Sequence, residues 1–142
     1  MNQSNLTHLV AVNAFLIKDN QFLLLKRNDP PLIWGPPGGK LEINEDPILG
    51  LKREVKEETG LIIEVIMPVT TWFGSFNNKE IFAVDYLCSY KSGEIKLSAE
   101  HNSYKWISLN DLKINAKKYF VSKSGFKLKN FELAFKVHKE LV

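Results

Sequence analysis

Glu54, Glu57 and Glu58 are spaced so that a helix would gather them on one face, and Arg53 lies one turn before Glu57, within i,i+4 reach of its carboxylate. Glu54 is i,i+3 to Glu57 and i,i+4 to Glu58, so each pair repels by about 0.2–0.5 kcal/mol. All three fall in the last turns of that helix, where the backbone dipole is already negative. Such a face opposes helix formation unless something positive sits over it. Grouped carboxylates with no His or Cys nearby are hard oxygen ligands, suited to Mg²⁺ or Mn²⁺ rather than Zn²⁺. The plainer reading is a solvated acidic helix face, which is what a charge run ordinarily means.

The helix itself is well specified. Asp46 suits the N-cap, Pro47 the first helical position, and Gly60 the left-handed stop, so the sequence predicts a helix over Pro47–Thr59. Ile48, Leu51 and Val55 then form an apolar stripe for the core. A Gly/Pro loop, Trp34-Gly35-Pro36-Pro37-Gly38-Gly39-Lys40, leads toward it, and its glycines permit close backbone approach. The loop is not a P-loop, because only three residues separate Gly35 from Gly39 and Leu41 follows Lys40 where Ser or Thr is required.

The complete spacing is more specific than a charge run. Gly39, five residues, Glu45, seven residues, Arg53-Glu54, Val55, Lys56, Glu57-Glu58, Thr59, Gly60 and Leu61 match the fixed positions of the Nudix box. The chain therefore resembles the Nudix hydrolases, which cleave a phosphoanhydride within a nucleoside diphosphate linked to a further group. The resemblance implies the Nudix fold, an α/β/α sandwich around a mixed β-sheet, and one domain over residues 1–142. It implies Mg²⁺, or Mn²⁺, held by Glu57 and Glu58, with Glu54 as a third ligand or as the base and the Gly39 carbonyl assisting. Arg53 is assigned to holding Glu57, and Glu42 and Glu45 stand behind the ligands.

A second run, Glu100-His101-Asn102-Ser103-Tyr104-Lys105-Trp106, resembles the loop and strand of Nudix enzymes acting on nucleoside triphosphates or dinucleoside polyphosphates. There a loop glutamate can be the catalytic base, so Glu100 competes with Glu54 for that role; the alternative is that Glu100 caps a loop, and Trp106 reads as core. Trp34, Lys40, Phe73 and Tyr104 are the candidate substrate contacts, the aromatic ones by stacking on a base, although most aromatic residues of this region read as packing. The chain has Phe76 and Asn77 where ADP-ribose members carry a proline, and it lacks the tyrosine found just beyond in some dinucleoside polyphosphate members. With Gly38-Gly39-Lys40, this favours a nucleoside triphosphate pyrophosphohydrolase releasing monophosphate and pyrophosphate. Dinucleoside polyphosphate or nucleotide-sugar hydrolysis is the alternative within the family. A nucleotide sensor without catalysis is the alternative outside it, opposed by the complete set of carboxylates.

His8–Lys18 and Gln21–Arg27 are strands of a hairpin about Asp19-Asn20, and Asn28-Asp29-Pro30-Pro31 opens the loop toward Trp34. Leu61–Val69 and Thr70–Phe76 are extended, Asn77-Asn78 turns, and Ile81–Tyr90 returns as a strand. Tyr104–Ser108 is a short strand and Asn130–Leu141 an amphipathic helix. At 142 residues the chain can bury a core without cross-links, and its single cysteine, Cys88, reads as a buried inert thiol. His8, His101 and His138 show no metal-ligand spacing. The net charge of +3 is modest, and Lys113, Lys117, Lys118, Lys123, Lys127 and Lys129 read as a solvated surface or a patch steering polyphosphates. No module for extended nucleic acid is present. No apolar run spans a membrane, and residues 1–5 lack the features of a signal peptide, so a cytoplasmic location is expected and the Asn2 and Asn5 glycosylation patterns carry no weight. An exposed aromatic hairpin could join two copies as a homodimer.

Overall fold

A computed structural model describes residues 7–122 and 124–141. Lys123 and the amino-terminal patterns at residues 1–6 lie outside them. Strands β1 (Leu9–Lys18) and β2 (Gln21–Arg27) meet at Asp19-Asn20, whose φ values of 51° and 61° make the left-handed pair of a tight hairpin. The two strands pair only at Ile17↔Phe22 and Lys18↔Gln21 and then part. β1 takes β4 (Gly38–Lys40) across Ala11–Asn13, while β2 takes β3 (Trp34–Gly35) and β7 (His101–Ser108). The Gly/Pro loop, expected to be irregular, thus supplies two short strands that fill the fork between β1 and β2.

On its other edge β1 runs parallel to β6 (Lys79–Ser92), which pairs antiparallel with β5 (Ile62–Phe76) through the Asn77-Asn78 turn. The sheet is therefore mixed, as expected. Side chains alternate across it with the strand period of two. Val12, Ala14, Leu16, Leu23 and Leu25 pack toward helix α1 (Pro47–Thr59); Phe15, Ile17, Phe22 and Leu24 pack toward α2 (Leu109–Ile114), α3 (Ala116–Tyr119) and α4 (Leu128–Leu141). This is the α/β/α sandwich. Among the described residues no helix is long and apolar enough to cross a membrane.

α1 has the bounds and caps the sequence predicts. The Asp46 carboxylate accepts from the amides of Ile48 and Leu49 at 3.1 and 3.0 Å, and Gly60 ends the helix at φ 77°. Leu51 and Val55 are fully buried, each contributing about 1.5–3 kcal/mol on the usual scale of apolar burial. Ile48 departs from expectation: it lies in the first turn of α1 and is 42% exposed, so the apolar stripe that is buried begins at Leu51. Cys88 is buried, and burial pushes its thiol pKa up, so it is an inert part of the α1-side core.

Candidate active site

α1 carries the acidic face to the mouth of the fork. Glu58 is the deepest group, 5% exposed, and its Oε1 accepts from the Gly38 amide at 2.7 Å. Burial, and then the charges of Glu54, Glu100 and Glu57, push its pKa up to about 8 against the pull of the Gly38 amide. Glu54 is also raised, first by burial, with Arg53 opposing and Glu57 and Glu100 adding to the rise. Glu57 is the outermost of the three, with its side chain 59% exposed.

Arg53 does hold Glu57, Nη1 to Oε2 at 3.1 Å, and the same nitrogen lies 3.1 Å from Glu54 Oε1. Its tighter partner is Glu45, which takes Nε and Nη2 at 2.7 and 2.8 Å in a fork. The guanidinium hydrogen bonds hold the Glu45 carboxyl down to about 2. Glu45 Oε1 also accepts from the Glu42 amide at 3.0 Å, so Glu42 contributes backbone to this support. The Arg53 charge is thus largely spent on Glu45, which leaves the acidic face short of positive charge.

The glycines of β4 fit the site closely. A Cβ on Gly39 would lie 2.5 Å from Glu54 Cδ, and one on Gly38 would strike the Val12 carbonyl. Gly39→Ala is therefore expected to displace Glu54 and lower turnover by about 10²-fold, the scale of misplacing a reacting group by an ångström. Steady-state kinetics beside a melting curve unchanged within a few degrees would check it.

Glu100 and His101 arrive from the far end of the chain. Lys96 and Ser98 amides donate to the carbonyls of Thr59 and Glu58 at 2.8 and 3.1 Å, and the Asn28 amide donates to the Glu100 carbonyl at 2.9 Å. This tethers residues 96–101 across the end of α1. One carboxylate oxygen each from Glu58 and Glu100 and one His101 ring nitrogen then lie within 4.8 Å of one another. The expectation that no histidine stands near the carboxylates is corrected here. His101 Nδ1 is 3.6 Å from Glu58 Oε2, buried and without a hydrogen-bond partner. Its pKa is lowered, chiefly by burial. Linear spacing could not reveal it; adjacency to Glu100 was the available signal.

The donors suit a divalent cation. Two carboxyl groups and an imidazole nitrogen without a hydrogen-bond partner converge, and a bound cation would favour the ionised form of Glu58 that burial disfavours. Oxygen donors in the majority favour Mg²⁺ or Mn²⁺.

The carboxylates border a cleft of about 660 Å³ whose lining includes Trp34, Lys40, Arg27, Trp72, Asn13 and Asp85. Arg27 lies with its guanidinium carbon 5.7 Å from the Phe76 ring centroid, and its buried Nε has no hydrogen-bond partner. Of the four candidate substrate contacts, Trp34 and Lys40 stand in the lining and Phe73 and Tyr104 do not. Alternation along β5 turns Trp72 inward and leaves Phe73 61% exposed beside His8. Tyr104, 47% exposed, lies on the face of β7 shared with Trp106, which packs against the α1-side core. None of the described carboxy-terminal lysines lines the cleft, and Lys113 pairs with Glu132 at 3.6 Å.

Residues 7–126 match the family model described as the NUDIX domain. The chain is 31% identical over 107 residues to an ADP-ribose pyrophosphatase of Methanocaldococcus jannaschii, covering 72% of this chain and 63% of that protein. It is 33% identical over 108 residues to an 8-oxo-dGTP diphosphatase of Buchnera aphidicola, covering 72% and 78%. A solved MutT protein from Methanosarcina mazei superposes with a TM-score of 0.77 at 26% identity, covering 95% of this chain and 98% of that one.

Proposed function

From the premise that the chain belongs to the NUDIX domain family, whose relatives above are hydrolases of phosphoanhydride bonds, we propose that it is a metal-dependent nucleoside triphosphate pyrophosphohydrolase, releasing monophosphate and pyrophosphate. The observation that carries this reading is the under-compensated acidic pocket, with Glu58 at its base, at one end of a nucleotide-sized cleft. A bound Mg²⁺ would neutralise phosphate oxygens and make a water molecule a better nucleophile. Glu58, Glu57 and Glu54 would hold cation, with His101 beside them and the Gly39 carbonyl at the edge of the set. Arg53 keeps Glu54 and Glu57 in place, itself fixed by Glu45. Arg27 and Lys40 would take phosphate oxygens, and Trp34 would form a wall of the cleft.

Glu100 is the stronger candidate for the base. It is not tied to Arg53, whereas Glu54 spends an oxygen on that guanidinium. Glu100→Gln is expected to reduce turnover by roughly 10²–10⁴-fold, the ordinary worth of a positioned base. An unchanged rate would return the role to Glu54.

The reading is tested by chromatography of products after incubation with Mg²⁺ and normal and oxidised nucleoside triphosphates, dinucleoside polyphosphates, ADP-ribose and nucleotide sugars. Monophosphate and pyrophosphate from a triphosphate support it. Cleavage of ADP-ribose alone would favour the second reading, which the Methanocaldococcus relative suggests and which Phe76-Asn77 in place of the expected proline opposes. Tight nucleotide binding without cleavage would make the protein a sensor.

A further inference from the structure

The cleft has a second end, remote from the carboxylates of α1, and its floor is ordered as two rows across three strands. Ala11 of β1, Ala83 of β6 and Trp72 of β5 form one row; Asn13, Asp85 and Thr70 form the next. Asp85 is 3% exposed. Its Oδ1 accepts from Asn13 Nδ2 at 3.0 Å and its Oδ2 from the Thr70 hydroxyl at 2.6 Å. Among the described residues no Lys, Arg or His pairs with it, yet it lines the cleft. A carboxylate can accept about four hydrogen bonds, and two are used. The remaining lone pairs belong to two oxygens held in fixed orientation by neighbouring strands, so the unsatisfied feature is a pair of adjacent acceptors.

Given the reading that a nucleotide occupies the cleft, we infer that Asp85 reads the base, its two oxygens accepting the ring N1–H and the exocyclic amine of a guanine-type edge. Adenine offers one amine beside a ring acceptor, which would face a carboxylate oxygen unfavourably. The adjacent row suits a planar ring, because Ala11 and Ala83 leave the floor low between Trp72 and the mouth. Asn13 couples the two ends of the cleft. It pairs in register with Gly38, whose amide donates to Glu58, so the base-reading row and the acidic pocket are two inter-strand steps apart, about 9–10 Å. Asn13 and Thr70 are positioning residues: each fixes one Asp85 oxygen and leaves the other lone pair for the ligand.

Calorimetric titration of the protein without metal by GMP, IMP, AMP and dGMP tests this apart from turnover. GMP is expected to bind about tenfold or more tightly than IMP, which lacks the exocyclic amine, and more tightly still than AMP, because a buried acceptor left unpaired loses on that order. dGMP should match GMP. Asp85→Asn, nearly the same shape, should remove the preference for GMP over IMP. Equal affinities across the bases, no binding of any monophosphate, a preference for AMP, or a preference that follows the 2′-hydroxyl alone would each overturn the inference. The wild-type comparison needs no variant, so a poorly folded Asp85→Asn leaves the test intact. Triphosphate hydrolysis without base preference would sink this inference only; a GMP preference without hydrolysis would sink only the hydrolase reading.

Discussion

Glu58→Gln is expected to lower hydrolysis of the preferred nucleotide by on the order of 10³-fold while the protein remains folded. The glutamine oxygen can still accept from the Gly38 amide, which the carboxylate holds at 2.7 Å, so the junction of α1 and β4 survives. What disappears is the charge at the base of the acidic pocket, and with it the strongest attraction for a cation. Losing one well-placed electrostatic contributor in a water-poor site costs about 10²–10³ in rate, and this residue would also help to hold the cation. Turnover measured against Mg²⁺ concentration, beside a melting curve, separates the two losses. A rate within threefold of wild type at every Mg²⁺ concentration would remove Glu58 from the site.

The second large effect is on stability. Glu58 has an ordinary pKa of 4.5 and a folded value of about 8. Between these values the folded chain keeps a proton that the unfolded chain has released, so stability falls as pH rises, by at most about 1.4 kcal/mol per pH unit for one group. Below pH 4.5 both states are protonated and the effect is absent; above about 8 the cost is complete. Glu54 and Asp85, both raised chiefly by burial, act in the same direction from their own ordinary values upward. His101 and His138 are lowered by burial and act the opposite way, with stability rising as pH approaches 6.5, so the fall due to Glu58 is least diluted from pH 6.5 to 8.

The metal-free protein should therefore lose several degrees of melting temperature across that interval. Glu58→Gln should flatten the loss. Mg²⁺ should restore stability most at the high end, where the carboxylate it binds is ionised; at 100 times its dissociation constant a ligand adds about 2.7 kcal/mol. A melting temperature independent of both pH and Mg²⁺ across the interval would contradict the electrostatic account of the pocket.

The parts of this molecule legible in the sequence are those specified by neighbours along the chain. Asp46, Pro47 and Gly60 bound α1 because capping is local, and both left-handed turns, Asp19-Asn20 and Asn77-Asn78, were marked by their own residues. β3 and β4 were not legible: two- and three-residue strands in a Gly/Pro segment exist only because β2 and β1 diverge and leave backbone groups to be paired. The short helices α2 and α3 were likewise missed, having no room for a periodic pattern.

The site divides in the same way. Glu54, Glu57 and Glu58 lie on one helix, so their spacing along the chain places them on one face. His101 and Arg27 meet the cleft through the β2–β7 register, and Asp85 joins Asn13 across 72 residues of sequence. No spacing rule reaches that far. An aromatic pair such as Trp72-Phe73 does not say which member faces inward; that depends on the register of β5 against β6.

The most direct test of the account is hydrolysis of the preferred triphosphate by wild type and by the Glu57→Gln/Glu58→Gln double variant, with Mg²⁺ and with chelator. Monophosphate and pyrophosphate are expected from wild type with Mg²⁺ and essentially none in the other three reactions. Metal-dependent turnover that survives both substitutions would contradict it.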